Sequence, residues 1–133
     1  MDRSEELIAA AAAVRERAYV PDSHFQVGAA LLGESGTVYQ GCNVENVSYG
    51  LSSCAERNAI FGAVARGECS FAAVAVVTAA PVPTPPCGAC RQVLMEFAHG
   101  GDMQVILATT SGVRRNTMLS ALLPESFSSF SAD

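Results

Sequence analysis

Basic charge is scarce in this chain: 8 Lys and Arg stand against 13 Asp and Glu, giving a net charge of −5 and a pI near 4.9. A polynucleotide partner normally demands a basic track, so nucleic-acid binding is not expected. The one basic pair, Arg114-Arg115, reads as a solvated strand face. Long apolar runs are missing as well. The longest, Leu7–Val14 and Phe71–Val77, fall far short of a membrane span. The start, Met1-Asp2-Arg3-Ser4-Glu5-Glu6, is acidic where a signal peptide would be basic, so a soluble, cytoplasmic chain without an export signal is expected. There is no internal repeat, and only Ser126–Asp133 has the character of a frayed tail. What remains is a 133-residue chain, 50% hydrophobic, that suits one domain spanning 1–133 with a sizeable core. Such an acidic protein can still take a small neutral ligand.

The sequence does contain 5 cysteines. In an unexported chain they suggest thiols or metal ligands before disulfides, and the odd count leaves at least one unpaired. Cys42 and Cys69 stand apart and read as small buried packing residues. The other three fall in a pattern: Cys54-Ala55-Glu56, then Pro86-Cys87-Gly88-Ala89-Cys90. Three thiolates hold one tetrahedral metal ion and leave its fourth position open. A carboxylate two residues after the first ligand reaches that open position. With His or Cys as first ligand, this order of residues is the signature of the zinc nucleobase deaminases.

Periodicity places these residues on elements. Leu7, Ala11, Val14 and Ala18 repeat at helical spacing, so Ser4 to about Tyr19 is predicted helical, with Ser4 as its cap and Pro21 beyond its end. Val27–Leu32 and Thr37–Cys42 are apolar runs joined by Gly33-Glu34-Ser35-Gly36, a hairpin signal. Asn43–Ser53 is too polar and irregular for a regular element. Cys54–Arg66 reads as a helix stopped by Gly67. Phe71–Thr78 is continuously apolar, as expected of a strand covered on both faces. Pro81–Pro86 is an ordered loop that delivers Cys87, Gly88–Ala98 a further helix ended by Gly100-Gly101, and Gln104–Ala108 and Val113–Met118 strands. Only Thr109-Thr110-Ser111-Gly112 joins those last two strands, which is too short for a parallel crossover, so they should pair antiparallel. The order α-β-β-α-β-α-β-β implies an α/β fold, a three-layer α/β/α sandwich with a mixed five-stranded sheet.

Cys54 opens one helix, and Cys87 with Cys90 opens another, so two helix N-termini converge on three thiols and favour their thiolate forms. Zinc suits tetrahedral sulfur ligation and makes hydroxide available near neutral pH. Three thiolates overcompensate its charge, and Arg57 is a candidate to donate to the sulfurs and withdraw part of it. Glu56 is the candidate general acid and base. Two rival readings compete. A Cys-x-x-Cys redox pair leaves Cys54 and Glu56 unexplained, whereas a structural zinc needs a fourth ligand, and Cys42, Cys69, His24 and His99 lack ligand-like spacing.

Further motifs carry a resemblance. Phe25-Gln26-Val27-Gly28-Ala29-Ala30-Leu31-Leu32, Gly41-Cys42-Asn43-Val44-Glu45-Asn46, Tyr49-Gly50-Leu51, Cys54-Ala55-Glu56-Arg57, Pro86-Cys87-Gly88-Ala89-Cys90-Arg91-Gln92-Val93 and Leu122-Leu123-Pro124 together resemble the cytidine deaminase family, in its small-subunit, three-cysteine form. The resemblance runs from the first helix to Phe127. It implies zinc-dependent hydrolysis of cytidine and 2′-deoxycytidine to uridine and 2′-deoxyuridine with release of ammonia, as in pyrimidine salvage. It further implies that Asn43 and Glu45 bind the ribose 3′-hydroxyl, Phe25 packs on the pyrimidine and the Ala55 N–H donates to the base O2. A homotetramer follows by the same likeness, with Tyr49 and Phe127 completing a neighbour's pocket; burial within their own subunit is the alternative for both. Arg91 and Gln92 read as structural support, and His24 and His99 as surface residues. The chain departs from the family at Asp22, often tyrosine, and at Pro85, often serine. A deaminase of another cytosine-bearing nucleoside, such as a nucleoside antibiotic, shares the metal site, and a non-enzymatic zinc protein is the reading from a different class.

Overall fold

A computed structural model describes residues 2–129. The sheet has five strands in the order β2-β1-β3-β4-β5: β1 Val27–Gly33, β2 Val38–Cys42, β3 Phe71–Thr78, β4 Gln104–Thr109 and β5 Arg114–Met118. β1 runs antiparallel to both β2 and β3, β3 and β4 are parallel, and β4 and β5 are antiparallel, as the short connection required. Helices α1 (Ser4–Arg15), α2 (Ala55–Ala65), α3 (Gly88–Glu96) and the short α4 (Leu119–Leu122) cover it.

Alternation along the strands sorts the core into two layers. Leu7 and Ala11 of α1 pack against Ala30, Ala73, Ala75, Val77 and Ile106 on one face. Ala59, Ile60 and Ala63 of α2 and Leu94 of α3 pack against Leu31, Val74, Val76 and Leu107 on the other. β3 is buried from both sides, which is why its sequence does not alternate. A register shift between Leu32 and Gly33 moves Phe71 to the face of Val74 and Val76, where its ring meets Tyr39 edge-on at 6.1 Å.

Two glycines set the helix–sheet spacing. A Cβ on Gly28 would lie 1.9 Å from the Ala11 carbonyl oxygen, and one on Gly41 would lie 2.4 Å from the Ala59 nitrogen and 2.6 Å from the Ala55 oxygen. Only glycine permits this close seating of α1 on β1 and of α2 on β2. Asn58 holds the second contact by donating to the Cys42 carbonyl at 2.8 Å.

Several boundaries depart from expectation. α1 ends at Arg15 and not near Tyr19, because the Tyr19 backbone pairs with the segment around Val44: its N–H donates to the Asn43 carbonyl at 3.0 Å. Ser4 does not cap the helix. It is the first helical residue, buried, and Asp2 accepts both its N–H and its hydroxyl. α2 closes as Gly67 suggested, with Glu68 N–H on Ala63 O and Gly67 N–H on Val64 O. α4 was not foreseen, being too short to show a period. Cys69 is exposed in the turn before β3 and Cys42 only half-buried, so neither is the buried packing residue expected. His24, His99, Arg114 and Arg115 are exposed, as read, and Arg114 pairs with Glu5. Part of the tail Ser126–Asp133, residues 130–133, lies outside the described residues. Among the described residues, no helix is long and apolar enough to cross a membrane.

Candidate active site

The strands β2 and β3 run parallel on either side of β1, and α2 and α3 follow them, so both helices begin at the same edge of the sheet. Cys54 is the N-cap residue of α2 and Cys87 that of α3, each with extended backbone, while Cys90 sits one turn into α3 and is buried. Their three sulfurs lie within 4.8 Å of one another, and Cys54 Sγ is 3.8 Å from Cys87 Sγ. Ligands about 2.3 Å from a tetrahedral zinc stand about 3.8 Å apart, so the donor set fits that ion without rearrangement. All five cysteines are free thiols.

The electrostatics favour the same occupant. Cys54 is lowered to about 5, first by a hydrogen bond from Cys90 and then by Arg57, whose Nη2 donates to Cys54 Sγ at 3.4 Å. The same bond pushes Cys90 up, because its proton is the one shared. The thiolate in turn holds the Arg57 guanidinium charged. Arg57 Nε is buried without a hydrogen-bond partner, so one donor of the guanidinium remains unused there. Glu56 is 4% exposed, and burial is the first cause of a pKa raised to about 7, the Cys54 charge adding to it. A carboxyl poised there gives and takes protons at neutral pH with little penalty in either direction.

Cys54, Glu56 and Cys87 open onto a cavity of about 300 Å³, with Cys90 and Arg57 behind them. Its lining falls into two groups, Cys54, Ala55, Glu56 and Cys87 at the helix starts and the hydrogen-bonded set Ser23, Phe25, Asn43 and Glu45, with Thr84 and Pro85 besides. Asn43 Oδ1 accepts the Val27 N–H at 2.9 Å and its Nδ2 donates to the Phe25 carbonyl at 2.8 Å, which leaves one amide hydrogen for a ligand. Glu45 faces the same space and is held below the usual carboxylate range, first by the Ser23 hydroxyl.

Two residues singled out from sequence stand apart. Tyr49, in a single 3₁₀ turn, is 75% exposed and Phe127 is 60% exposed, and neither lines the cavity. The alternative that they are buried within their own subunit is therefore excluded. Gln92 donates to the Phe127 carbonyl at 2.8 Å, while Arg91 donates to the Pro86 and Leu122 carbonyls, so both act as the structural support expected of them. Ser23 and Thr84 line the cavity without having been foreseen. Ser23 stands two residues before Phe25, but nothing in its neighbourhood distinguishes it from a turn serine.

Three thiols at two helix N-termini beside a buried glutamate define, by class, a zinc-dependent nucleobase deaminase site. Comparison with known proteins narrows the class. The family model for the cytidine and deoxycytidylate deaminase zinc-binding region matches residues 1–109. A cytidine deaminase of Sporosarcina psychrophila is 52% identical over 124 residues, 93% of this chain and 90% of that protein. One from Halalkalibacterium halodurans is 50% identical over 127 residues, 96% of this chain and 95% of that protein. The crystal structure of a cytidine deaminase from Burkholderia pseudomallei matches at a TM-score of 0.89 and 50% identity, covering 96% of this chain and 100% of that one. This chain belongs to the cytidine and deoxycytidylate deaminase family, and zinc is the metal its three thiols are arranged to hold.

Proposed function

We propose that this protein, as a single domain, hydrolyses cytidine and 2′-deoxycytidine to uridine and 2′-deoxyuridine with release of ammonia. The observation that carries the reading is the position of Glu56, a buried carboxyl raised to about 7 beside the thiol cluster and at the floor of a nucleoside-sized cavity. Cys54, Cys87 and Cys90 are the zinc ligands, and zinc when bound supplies Lewis acidity and a water acidic enough to attack near neutral pH.

The chain's own residues do the rest. Glu56 takes a proton from the attacking water, delivers one to N3 of the base, and then passes one to the departing amine as the C4–N bond breaks. Water thus adds across the C4–N3 double bond, and the proton of the new C4 hydroxyl goes through Glu56 to the amine as the C4 carbonyl forms and ammonia leaves. The Ala55 N–H, at the start of α2, donates to the base O2, and Phe25 packs on the ring. Asn43 gives its remaining amide hydrogen to the ribose 3′-hydroxyl, which gives its own to Glu45. Nothing in that arrangement reads the 2′ position, so both sugars are accepted. Arg57 withdraws charge from the sulfurs.

We also infer a cytoplasmic homotetramer in which Tyr49 and Phe127 reach a neighbouring copy's cavity. Their exposure supports this, as do exposed Val47 and Leu51 beside Tyr49, which form an apolar surface around the sugar-facing loop. Sedimentation at micromolar concentration tests the assembly.

The enzymatic reading is tested by incubating the zinc-loaded protein with cytidine and following the ultraviolet change on loss of the 4-amino group, with Glu56→Ala as control. Rapid loss, abolished in the variant, is expected. Near-normal turnover by a Glu56→Ala protein that retains its zinc overturns the mechanism. Weak turnover of cytidine beside fast turnover of another cytosine nucleoside reassigns the substrate.

A further inference from the structure

The residue that holds the two recognition groups together is neither of them. Ser23 donates its hydroxyl proton to Glu45 Oε2 and accepts the Phe25 N–H on the same oxygen at 3.0 Å. Its own N–H and that of Asp22 donate to Glu45 Oε1 at 3.2 and 3.0 Å. Glu45 thus receives three hydrogen bonds from one turn, and the hydroxyl at their centre also fixes the backbone of the aromatic residue.

The turn is built for this at some cost. His24, between Ser23 and Phe25, adopts φ 58°, a left-handed conformation that non-glycine residues rarely take, though His is among those that tolerate it best. Its N–H closes onto the Val20 carbonyl at 3.0 Å. The reversal at His24 is what folds the Phe25 N–H back onto Ser23 Oγ. The two segments are laced further by Glu45 N–H on the Tyr19 carbonyl and by Asn43 on both Phe25 and Val27. Ser23 itself lines the cavity together with Phe25, Asn43 and Glu45.

We propose that Ser23 is a positioning residue that sets Glu45 and Phe25 in register, coupling recognition of the sugar hydroxyl to stacking on the base. This rests on the roles proposed above for those two residues. Glu45 has two carboxylate oxygens and a flexible stem. Without the serine hydroxyl, Oε2 is free to turn from the cavity, and the Phe25 amide loses its acceptor. The effect therefore falls on binding and leaves the proton transfers at Glu56 intact.

The test is a double-mutant cycle on the zinc-loaded enzyme with cytidine as substrate. Ser23→Ala should raise KM about tenfold, the scale of a hydrogen bond to a charged group, with kcat within about twofold. Ser23→Thr, which keeps the hydroxyl, should restore most of the loss. In a Glu45→Ala background, Ser23→Ala should raise KM only about twofold further, because its main partner is gone. A general structural defect instead lowers the melting temperature and adds to the Glu45→Ala effect. Full additivity, an unchanged KM in Ser23→Ala, or equal failure of Ser23→Thr overturns the proposal while wild-type turnover stands. Absence of wild-type turnover overturns the functional reading and this inference with it.

Discussion

The two ends of the cavity are built by different means. The thiol end is made from helix starts: Cys54 and Cys87 occupy N-cap positions, Cys90 and Glu56 lie within one turn, and both helices seat on one sheet face around Ile60, Leu94 and Val76. The end proposed to hold the sugar is made from two irregular segments, around Ser23 and around Glu45, held by hydrogen bonds between them. Geometry at the first end comes from packing, which tolerates no small displacement. At the second it comes from a lattice of polar contacts that can loosen one at a time. Losses at the thiol end should therefore be large and fall on kcat, whereas losses at the sugar end should be graded and fall on KM.

The largest effect belongs to Glu56. Glu56→Gln keeps the volume and removes the proposed proton carrier, and kcat should fall by about 10³–10⁴-fold, the upper range for a general acid and base. Zinc content, measured by atomic emission on the same sample, should stay at one ion per chain. A variant that loses its zinc instead would erase the distinction between holding the metal and moving protons.

Gly41→Ala tests whether packing sets the thiol end. Its Cβ would meet the α2 backbone at Ala59 and Ala55, so the helix must retreat from β2 and carry Cys54, Ala55 and Glu56 with it. Overpacking of this kind costs about 1–3 kcal/mol, read as a lower melting temperature. Activity should fall more than stability predicts, because Cys87 and Cys90 on α3 do not move with α2. A variant of normal activity would show that the cluster follows the metal and not the helix.

The same contrast explains what was legible from residues alone. Cys54-Ala55-Glu56 and Cys87-Gly88-Ala89-Cys90 were readable because a helix start fixes their geometry within a few residues, and β3 because burial on both faces leaves an unbroken apolar run. Helical period alone runs α1 on to Tyr19, whose backbone is claimed instead by Asn43 and Glu45, far along the chain. Ser23 is silent in the sequence for the same reason: a turn serine acquires its partners only when the segment around Glu45 is brought to it. A cysteine is usually buried, yet the segment after Gly67 leaves Cys69 in solvent. Local chemistry shows in the sequence; long-range polar register does not.

A substrate series probes the sugar end with no mutation. Asn43 offers one donor and Glu45, kept ionised by the Ser23 hydroxyl, offers only acceptors, so the pair demands a group that both accepts and donates. 2′-Deoxycytidine should match cytidine within about threefold. 2′,3′-Dideoxycytidine should lose about 10²-fold in kcat/KM, because the polar pair is then left unpaired. Equal loss on removing either hydroxyl would mean that the loop reads the 2′ position too.

The smallest effect comes from a second carboxylate clamped as Glu45 is. Asp102 Oδ1 accepts the N–H groups of Met103 and Ser120, at 2.8 and 2.9 Å, and Oδ2 accepts the Ser120 hydroxyl at 2.6 Å. Like Glu45 it is held below the ordinary carboxylate range, first by its serine. Unlike Glu45, it fastens the start of β4 to α4 and does not line the cavity. Asp102→Asn should thus cost stability only, about 0.5–1 kcal/mol for a solvent-facing clamp, and leave KM for cytidine unchanged. A depressed carboxyl pKa contributes stability that is present above its unfolded value and lost as pH falls through its folded value. The difference in melting temperature between wild type and Asp102→Asn should accordingly be full at neutral pH and close on the acid side of the carboxylate range. If Asp102→Asn raises KM as Ser23→Ala is expected to, the clamp around Glu45 is a general stabilising device, and the sugar end is no more specialised than any other loop on this fold.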